Sequence, residues 1–376
     1  MIYDVIVLGI GGMGSAAAFE LARRGRRVLG LERFGLGHDR GSSHGRTRVI
    51  RKAYFEHPDY VPLLHRSYQR WYELEQRRGK HLLTECGCLS LGPADGELVA
   101  GVRRAAAEHK LPLENFTAAE LRRAYPQFRF DDSVVGAFER VAGYLDVEQC
   151  VLSYAEEAQL LGADLRENEP AVSWTANSSG VTVRTERHTY NALKLVVCAG
   201  SWSSSLLADL KVPLKPTRQT LFWFDPLDAA ALRRDVFPIY LTDTPQGMFY
   251  GFPVVDSTGA KVALHAPGEA VTDPSAVNRE VKPGEEAGCR AFLERHIPQA
   301  AGELKSSKVC LYTYSPDGHF IIDVHPAHSN VCVAAGFSGH GFKFASVVGE
   351  ILADLADKGR TDLPIDMFRI GRFGGK

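Results

Sequence analysis

Cysteine is scarce: seven in 376 residues, an odd number, at positions 86, 88, 150, 198, 289, 310 and 332. Irregular spacing and an odd count exclude a disulfide framework and point to a reducing compartment, so a cytoplasmic protein is expected. Net charge is nearly absent as well, with 44 basic residues against 45 acidic ones. No global field then draws in nucleic acid or an anionic membrane, and a charged substrate has to be recognised locally. No apolar run approaches the length that spans a bilayer. The N-terminal MIYDVIVLGIGGMG lacks the basic region of a signal peptide, and the C-terminal RFGGK carries no peroxisomal or retention signal. Internal repeats and low-complexity tracts are missing. The one match to G-x-S-x-G, GSSHG at 41–45, falls in a stretch that reads as a loop and not as a strand-to-helix elbow, which disfavours α/β-hydrolase chemistry. Metal-ligand sets are incomplete: Cys86 and Cys88 share a strand face without a second pair, and His319, His325 and His328 are split by a Pro turn with no carboxylate or Cys set to complete a site. No metal is expected.

What remains is a soluble globular composition, 45% apolar and 24% charged, long enough for one large or two medium domains. YDVIVLG reads as a buried parallel strand, SAAAFELARRG as a helix ending at Gly25, and RRVLGLE as a second strand. Together they form a βαβ unit. Residues 37–51, GHDRGSSHGRTRVIR, read as a loop, and YVPLLHRSYQRWYELEQRRG as an amphipathic helix. LLTECGCLSLG alternates as one strand, and TAAELRRAYP is a helix opened by a Thr cap. VEQCVLSYAEEAQLLGADLREN gives a helix and a strand, GVTVRTERHTYNA a hairpin, and LKLVVCAGSWSSSLL a strand, glycine turn and helix. Residues 214–315 are dominated by alternating β segments. NVCVAAG, the loop FSGHGFK and the helix ASVVGEILADLADKG return to α/β. The expectation is an α/β domain built from residues 1–81, 146–213 and 316–376, into which a β-rich (α+β) domain, residues 82–145 and 214–315, is inserted twice.

The dinucleotide pattern Gly9-Ile10-Gly11-Gly12-Met13-Gly14 follows a strand and opens a helix, and Glu32 ends the next strand 18 residues after Gly14. That context is what the motif needs. Glycines let the backbone approach a pyrophosphate, the helix N-terminus offers unpaired N–H groups, and Glu32 can accept from ribose hydroxyls while disfavouring a 2′-phosphate. FAD and NAD stay open at this point. Ala199-Gly200 permits close approach at a strand's C-terminal edge. Gly336, Gly339 and Gly341 precede a long helix, where Lys343 suits a carboxylate or a reduced flavin. In GSSHGRTRVIRKAY, His44, Arg46, Arg48, Arg51 and Lys52 crowd together with few acids nearby, a composition that grips carboxylates or stays solvated. Cys310, in KVCLYTY, reads from the residues alone as a small buried apolar group.

GIGGMG, GSSHGRTRVIRKAY, YVPLLHRSYQRWYELE, FYGFP, KVCLYT and HFIIDVHPAHSNVCVAAGFSGHGFKF together resemble the monomeric sarcosine oxidase family of flavoprotein amine oxidases, over nearly the whole chain. The resemblance implies a Rossmann-like FAD-binding domain with the inserted domain carrying substrate. It also implies one covalent FAD per chain, a small secondary amino acid and O2 as partners, H2O2 as product, and a monomer. It assigns Cys310 to the flavin thioether, Lys261 to oxygen activation, and Arg51 and Lys343 to the substrate carboxylate. Tyr250, His265 and Tyr312 line the substrate pocket, His44 and Arg48 lie near the flavin ring, and Leu241 lies near the pocket. Arg33, Ser43, Thr47, Val172 and Trp202 complete the expected FAD contacts. Arg46 and Leu241 depart from typical bacterial sarcosine oxidases, and GSSHGxxRxIRKAY is closer to the pipecolate-oxidising branch. Sarcosine is the first expectation, with L-pipecolate and N-methyltryptophan open beside it. A dehydrogenase using another acceptor and a flavin-binding protein without turnover are the competing readings.

Overall fold

The computed structural model describes residues 3–374; the last two residues of the RFGGK stretch lie outside them. Strand β1 (Tyr3–Leu8) runs parallel to β2 (Val28–Leu31) on one side and to the strand Thr189–Val197 on the other. Helix α1 (Gly12–Arg23) links β1 to β2, and its alanines 16–18 are fully buried. Gly14 explains the tight junction. A Cβ there would stand 1.8 Å from the Gly9 carbonyl oxygen, so only glycine lets the helix start this close to the strand.

The first sheet has eight strands. His328–Ala335 pairs parallel with Thr189–Val197, so Leu8, Val197 and Ala335 end side by side at one carboxyl edge. Each is followed by a glycine-bearing turn, at residues 9–14, 199–200 and 336–341. The carboxyl edge of a parallel sheet is where ligands of α/β folds sit.

A nine-stranded sheet combines the strands of residues 214–315 with Cys88–Pro93, Glu114–Phe116 and Val134–Glu139. Leu304–Tyr314, which holds Cys310, pairs antiparallel along the length of Lys215–Phe224. A small three-stranded sheet joins β3 (Thr47–Ile50) to Gly143–Asp146 and Leu83–Glu85. Helix α2 (Val61–Arg78) is ended by Gly79 at φ 59°, and Thr117 forms a full capping box with Glu120, as its sequence implies.

Two expectations are corrected. LLTECGCLSLG is two strands, because Gly87 at φ +78° turns the chain between them. A Cβ there would meet the Phe138 ring at 2.2 Å. Cys86 and Cys88 therefore flank a break and do not share a strand face. The basic loop 37–51 ends in a strand, β3, which its β-branched TRVI supports. Among the described residues no helix is long and apolar enough to cross a membrane.

Candidate active site

One elongated cavity follows the carboxyl edge of the first sheet and passes toward the nine-stranded sheet. At its first end lie Gly9, Gly11, Gly12, Met13, Glu32 and Arg33. The Glu32 carboxylate is buried and accepts the Ile10 N–H at 2.8 Å and the Phe34 N–H at 3.0 Å, one bond on each oxygen. A carboxylate has about four acceptor sites, so lone pairs remain for hydroxyl donors. Ser43 Oγ accepts the Gly12 N–H at 3.0 Å, and the N-cap residue Gly11 has no side chain to take the others. That leaves terminal N–H groups for an anion. Ala199, Gly200 and Trp202 form the opposite wall. The Arg33 guanidinium stands 5.5 Å over the Trp202 ring, whose indole N–H is held by Ser275 Oγ at 2.8 Å. A glycine-lined floor, a helix N-terminus with N–H groups still free beyond Gly12 and a buried carboxylate suit a dinucleotide.

At the other end, β3 and the segment after it deliver Arg48, Arg51 and Glu56, and the third glycine turn delivers Gly339, Gly341 and Lys343. The Arg51 guanidinium lies over the Tyr54 and Phe55 rings at 4.3 and 4.8 Å. Its Nη2 donates to both Glu56 oxygens at 2.8 and 3.0 Å, and its Nη1 to the Ala53 carbonyl at 2.9 Å. Burial opposes the Glu56 charge, but Arg51, with His340 and Lys343 adding, holds its pKa at about 2. Burial, and after it the Arg51 charge, push Lys343 down to about 7. Tyr250, Tyr312, His265 and Leu241 complete this end. Burial raises both phenols and lowers His265, so all three are neutral at neutral pH. Gly339 belongs to the same packing: at φ +82°, a Cβ on it would meet the Tyr312 ring at 2.3 Å.

Between the two ends, Cys310 is fully buried, with Arg48 Nη2 3.4 Å from its sulfur. It sits behind the wall formed by Gly41, Ser42 and Leu311. Lys261 is buried between the Trp223 and Phe252 rings, at 5.3 and 4.9 Å. Its Nζ donates to the Gly45 carbonyl at 2.7 Å, the Thr47 carbonyl at 2.9 Å and Thr47 Oγ1 at 3.3 Å. Burial, then the Arg48 charge, lower its pKa, while three oxygens for three N–H bonds favour the ammonium. Gly45 and Arg46 themselves donate their N–H groups to the Glu148 carboxylate. His44 is fully buried with neither ring nitrogen partnered. Burial, with Arg48 second, holds its pKa at about 3.

The structure thus brings most sequence-predicted residues to one cavity. Lys261, His44, Thr47, Gly14 and Cys310 stand just behind its lining. Val172 is the exception: it is 60% exposed, and its neighbour Ala171 lines the cavity instead. Val172 sits where the strand Ala171–Asn177 shifts register between Ala171 and Ser173, and both Val172 and Ser173 are exposed. The basic loop is not a single cluster either. Arg46 turns outward to pair with Asp256, and Lys52 lies 4.5 Å over the Tyr68 ring. The expectation of few acids near the clamp missed Glu56. Its signal was its place five residues after Arg51 in RKAYFE, and no spacing rule marks such a pair. Tyr54 and His340 were missed too. Away from the cavity, Asp209 supplies the carboxylate that the sequence did not place beside His325 and His328. His325 Nδ1 accepts the Ala327 N–H at 3.2 Å, so its proton sits on Nε2, 3.0 Å from Asp209 Oδ2. As a cation site this set is short of a lone pair on His325.

A family profile described as FAD dependent oxidoreductase matches residues 4–355. The chain is 44% identical over 371 residues to a monomeric sarcosine oxidase of Streptomyces avermitilis, covering 97% of this chain and 96% of that one. It belongs to the monomeric sarcosine oxidase family of FAD dependent oxidoreductases. An N-methyl-L-tryptophan oxidase of Salmonella agona is 35% identical, over 99% of this chain and all of that one. Among solved structures, NikD, an unusual amino acid oxidase essential for nikkomycin biosynthesis, superposes with a TM-score of 0.86 at 25% identity, covering 98% of this chain and 97% of that one. An L-proline dehydrogenase from P. horikoshii shares the fold, with a TM-score of 0.85 at 22% identity over 99% of this chain and 98% of that one. For a family member, the glycine floor, helix N-terminus and Glu32 at the first end of the cavity fit the nucleotide half of FAD.

Proposed function

We propose that this chain oxidises small secondary amino acids with O2, sarcosine first among them: sarcosine + O2 + H2O gives glycine, formaldehyde and H2O2. The observation that carries this reading is the charge count at the second end of the cavity. Two buried cations, Arg51 and Lys343, face one carboxylate, Glu56. One net positive charge is left to neutralise one substrate carboxylate. Around it stand neutral phenols and a neutral imidazole, so nothing holds a substrate amine as ammonium except Glu56, already engaged by Arg51. Leu241, Met248 and Phe55 add apolar walls that also suit a ring-bearing amino acid such as L-pipecolate.

Bound FAD supplies the two-electron acceptor and hands the electrons to O2. Arg51 and Lys343 orient the carboxylate, and Tyr250 and Tyr312 flank the N-alkyl group without a full charge. Lys261 is a fixed cation beside the ring region, where charge develops as O2 is reduced. We assign Cys310 to covalent attachment; Arg48 Nη2 stands 3.4 Å from its sulfur. His44, buried and neutral, sits behind the ring region. We divide the chain into a FAD domain (1–81, 146–213, 316–376) and a substrate domain (82–145, 214–315), and read it as a cytoplasmic monomer.

The test is H2O2 yield per mole of sarcosine under air, expected to be one. Full bleaching of the flavin band without peroxide would replace the oxidase by a dehydrogenase. For attachment, acid precipitation should leave the yellow colour in the pellet, and Cys310→Ser should release it to the supernatant.

A further inference from the structure

Lys343 is not a simple surface-type cation swung into a pocket. Its Nζ donates to the His340 carbonyl at 2.7 Å and to the Tyr54 hydroxyl oxygen at 3.2 Å. The Tyr54 hydroxyl is in turn 2.7 Å from His340 Nδ1, and His340 Nε2 is 3.1 Å from the Gly318 carbonyl. A carbonyl oxygen only accepts, so His340 Nε2 must carry the proton and Nδ1 must offer a lone pair. Nδ1, at 2.7 Å, then takes the Tyr54 proton ahead of the His340 carbonyl at 3.2 Å. Tyr54, with its proton committed, can only accept from Lys343. Main-chain contacts pin the same turn: the Lys343 carbonyl accepts the Trp71 indole N–H at 3.0 Å and the Ser67 hydroxyl.

We infer that Tyr54 and His340 are positioning residues for substrate binding: the single tautomer open to His340 orders the Tyr54 hydroxyl so that it accepts from Lys343, leaving one of the three ammonium N–H bonds for the substrate carboxylate. Two of those bonds end on protein oxygens, and the third has no partner among the described residues. Lys343 lines the cavity. The inference rests on the carboxylate-clamp reading above and names what holds that clamp in its binding form.

The groups around Lys343 keep its titration separate. Arg51 and Arg48 stay charged, and Glu56 titrates at about 2. His340, whose pKa burial lowers to about 3, stays neutral. Burial lowers His265 and raises Tyr54, Tyr60 and Cys88; burial also lowers His319, behind Tyr60. Lys343, at about 7, is the group that changes charge between neutral and mildly alkaline pH.

The experiment uses the holoenzyme and methoxyacetate, a carboxylate of sarcosine's size without an ionisable amine, with Kd read by calorimetry from about pH 5.5 to 9. Wild-type affinity is expected to fall about tenfold per pH unit above the Lys343 pKa. Tyr54→Phe removes an acceptor from the ammonium, so the fall should start about one unit lower, making Kd at pH 8 about tenfold weaker while pH 5.5 affinity stays within about threefold of wild type. His340→Leu removes the nearer acceptor and leaves the Tyr54 proton only the longer contact to the residue-340 carbonyl, so the fall should shift the same way but by less. His340→Asn, with an amide oxygen near the Nδ1 position, should restore most of it. The retained low-pH affinity shows that the variants fold. If wild type has the alkaline fall and Tyr54→Phe and His340→Leu keep it unshifted, the positioning inference is overturned and the clamp stands. If wild type shows no alkaline fall at all, the clamp reading fails and the inference falls with it.

Discussion

Two buried lysines sit within one site and are held in opposite ways. Lys261 spends all three N–H bonds on protein oxygens between two aromatic faces and stands behind the cavity lining. Lys343 spends two, lines the cavity, and is held near its titration point. A cation with no donor to spare cannot bind a ligand; it can only contribute its field. A cation with one donor free can grip. The same residue type thus serves electrostatics in one place and recognition in the other, and the difference lies in the count of acceptors around each Nζ.

Breaking the comparison at Lys261 should have the largest effect. Lys261→Met is expected to slow reoxidation of the reduced enzyme by O2 at least about a hundredfold, while anaerobic reduction by sarcosine changes less than about threefold. Stopped-flow absorbance separates the two half-reactions, and equal losses in both would refute the division of labour. Lys343→Met should do the reverse. It raises the sarcosine KM about 10- to 100-fold, the worth of a charge-assisted hydrogen bond, and leaves reoxidation unaltered. Glu56→Gln sharpens the contrast. With its partner neutral, Arg51 binds substrate carboxylate more freely, so methoxyacetate should bind about fivefold tighter at pH 6. The same change removes an anion that supports the Lys343 charge, so the alkaline fall in affinity should begin at lower pH. The smallest effect is expected at Arg46→Ala. Its pair with Asp256 is exposed, and such pairs contribute about 0–1 kcal/mol. Glu148 holds the loop whose carbonyls fix Lys261, so Arg46→Ala should leave reoxidation unchanged and Tm within a few degrees.

The nucleotide end of the cavity was legible because its chemistry is local. GIGGMG and Glu32 lie on one βαβ unit, and glycine, strand period and helix start are all encoded within about thirty residues. The substrate end draws on β3, the segment after it, Tyr250, His265, Leu304–Tyr314 and the third glycine turn. Single-sequence periodicity says nothing about which of these meet. Arg51, Lys261, Lys343 and Cys310 were reached through family resemblance. Glu56 was not reached because no spacing rule marks a pair five residues apart outside a helix, and Tyr54 and His340 were not because the tautomer is fixed only once three segments meet. Val172 lies beside the lining residue Ala171 at a register shift in its strand, an irregularity that sequence periodicity does not show.

The three glycine turns that end β1, Thr189–Val197 and His328–Ala335 come from the beginning, middle and end of the chain. A nascent chain can form its βαβ unit early, but it cannot close the nucleotide crevice until its final strand has been made and has slotted in beside the central one. Cofactor capture is therefore a late event in biogenesis and a check on completion: a chain truncated before residue 328 should keep its first motif and still fail to retain FAD. Once captured, a ligand that touches all three turns ties the oldest and newest parts of the polypeptide together, so that loss of either end is felt as loss of the whole.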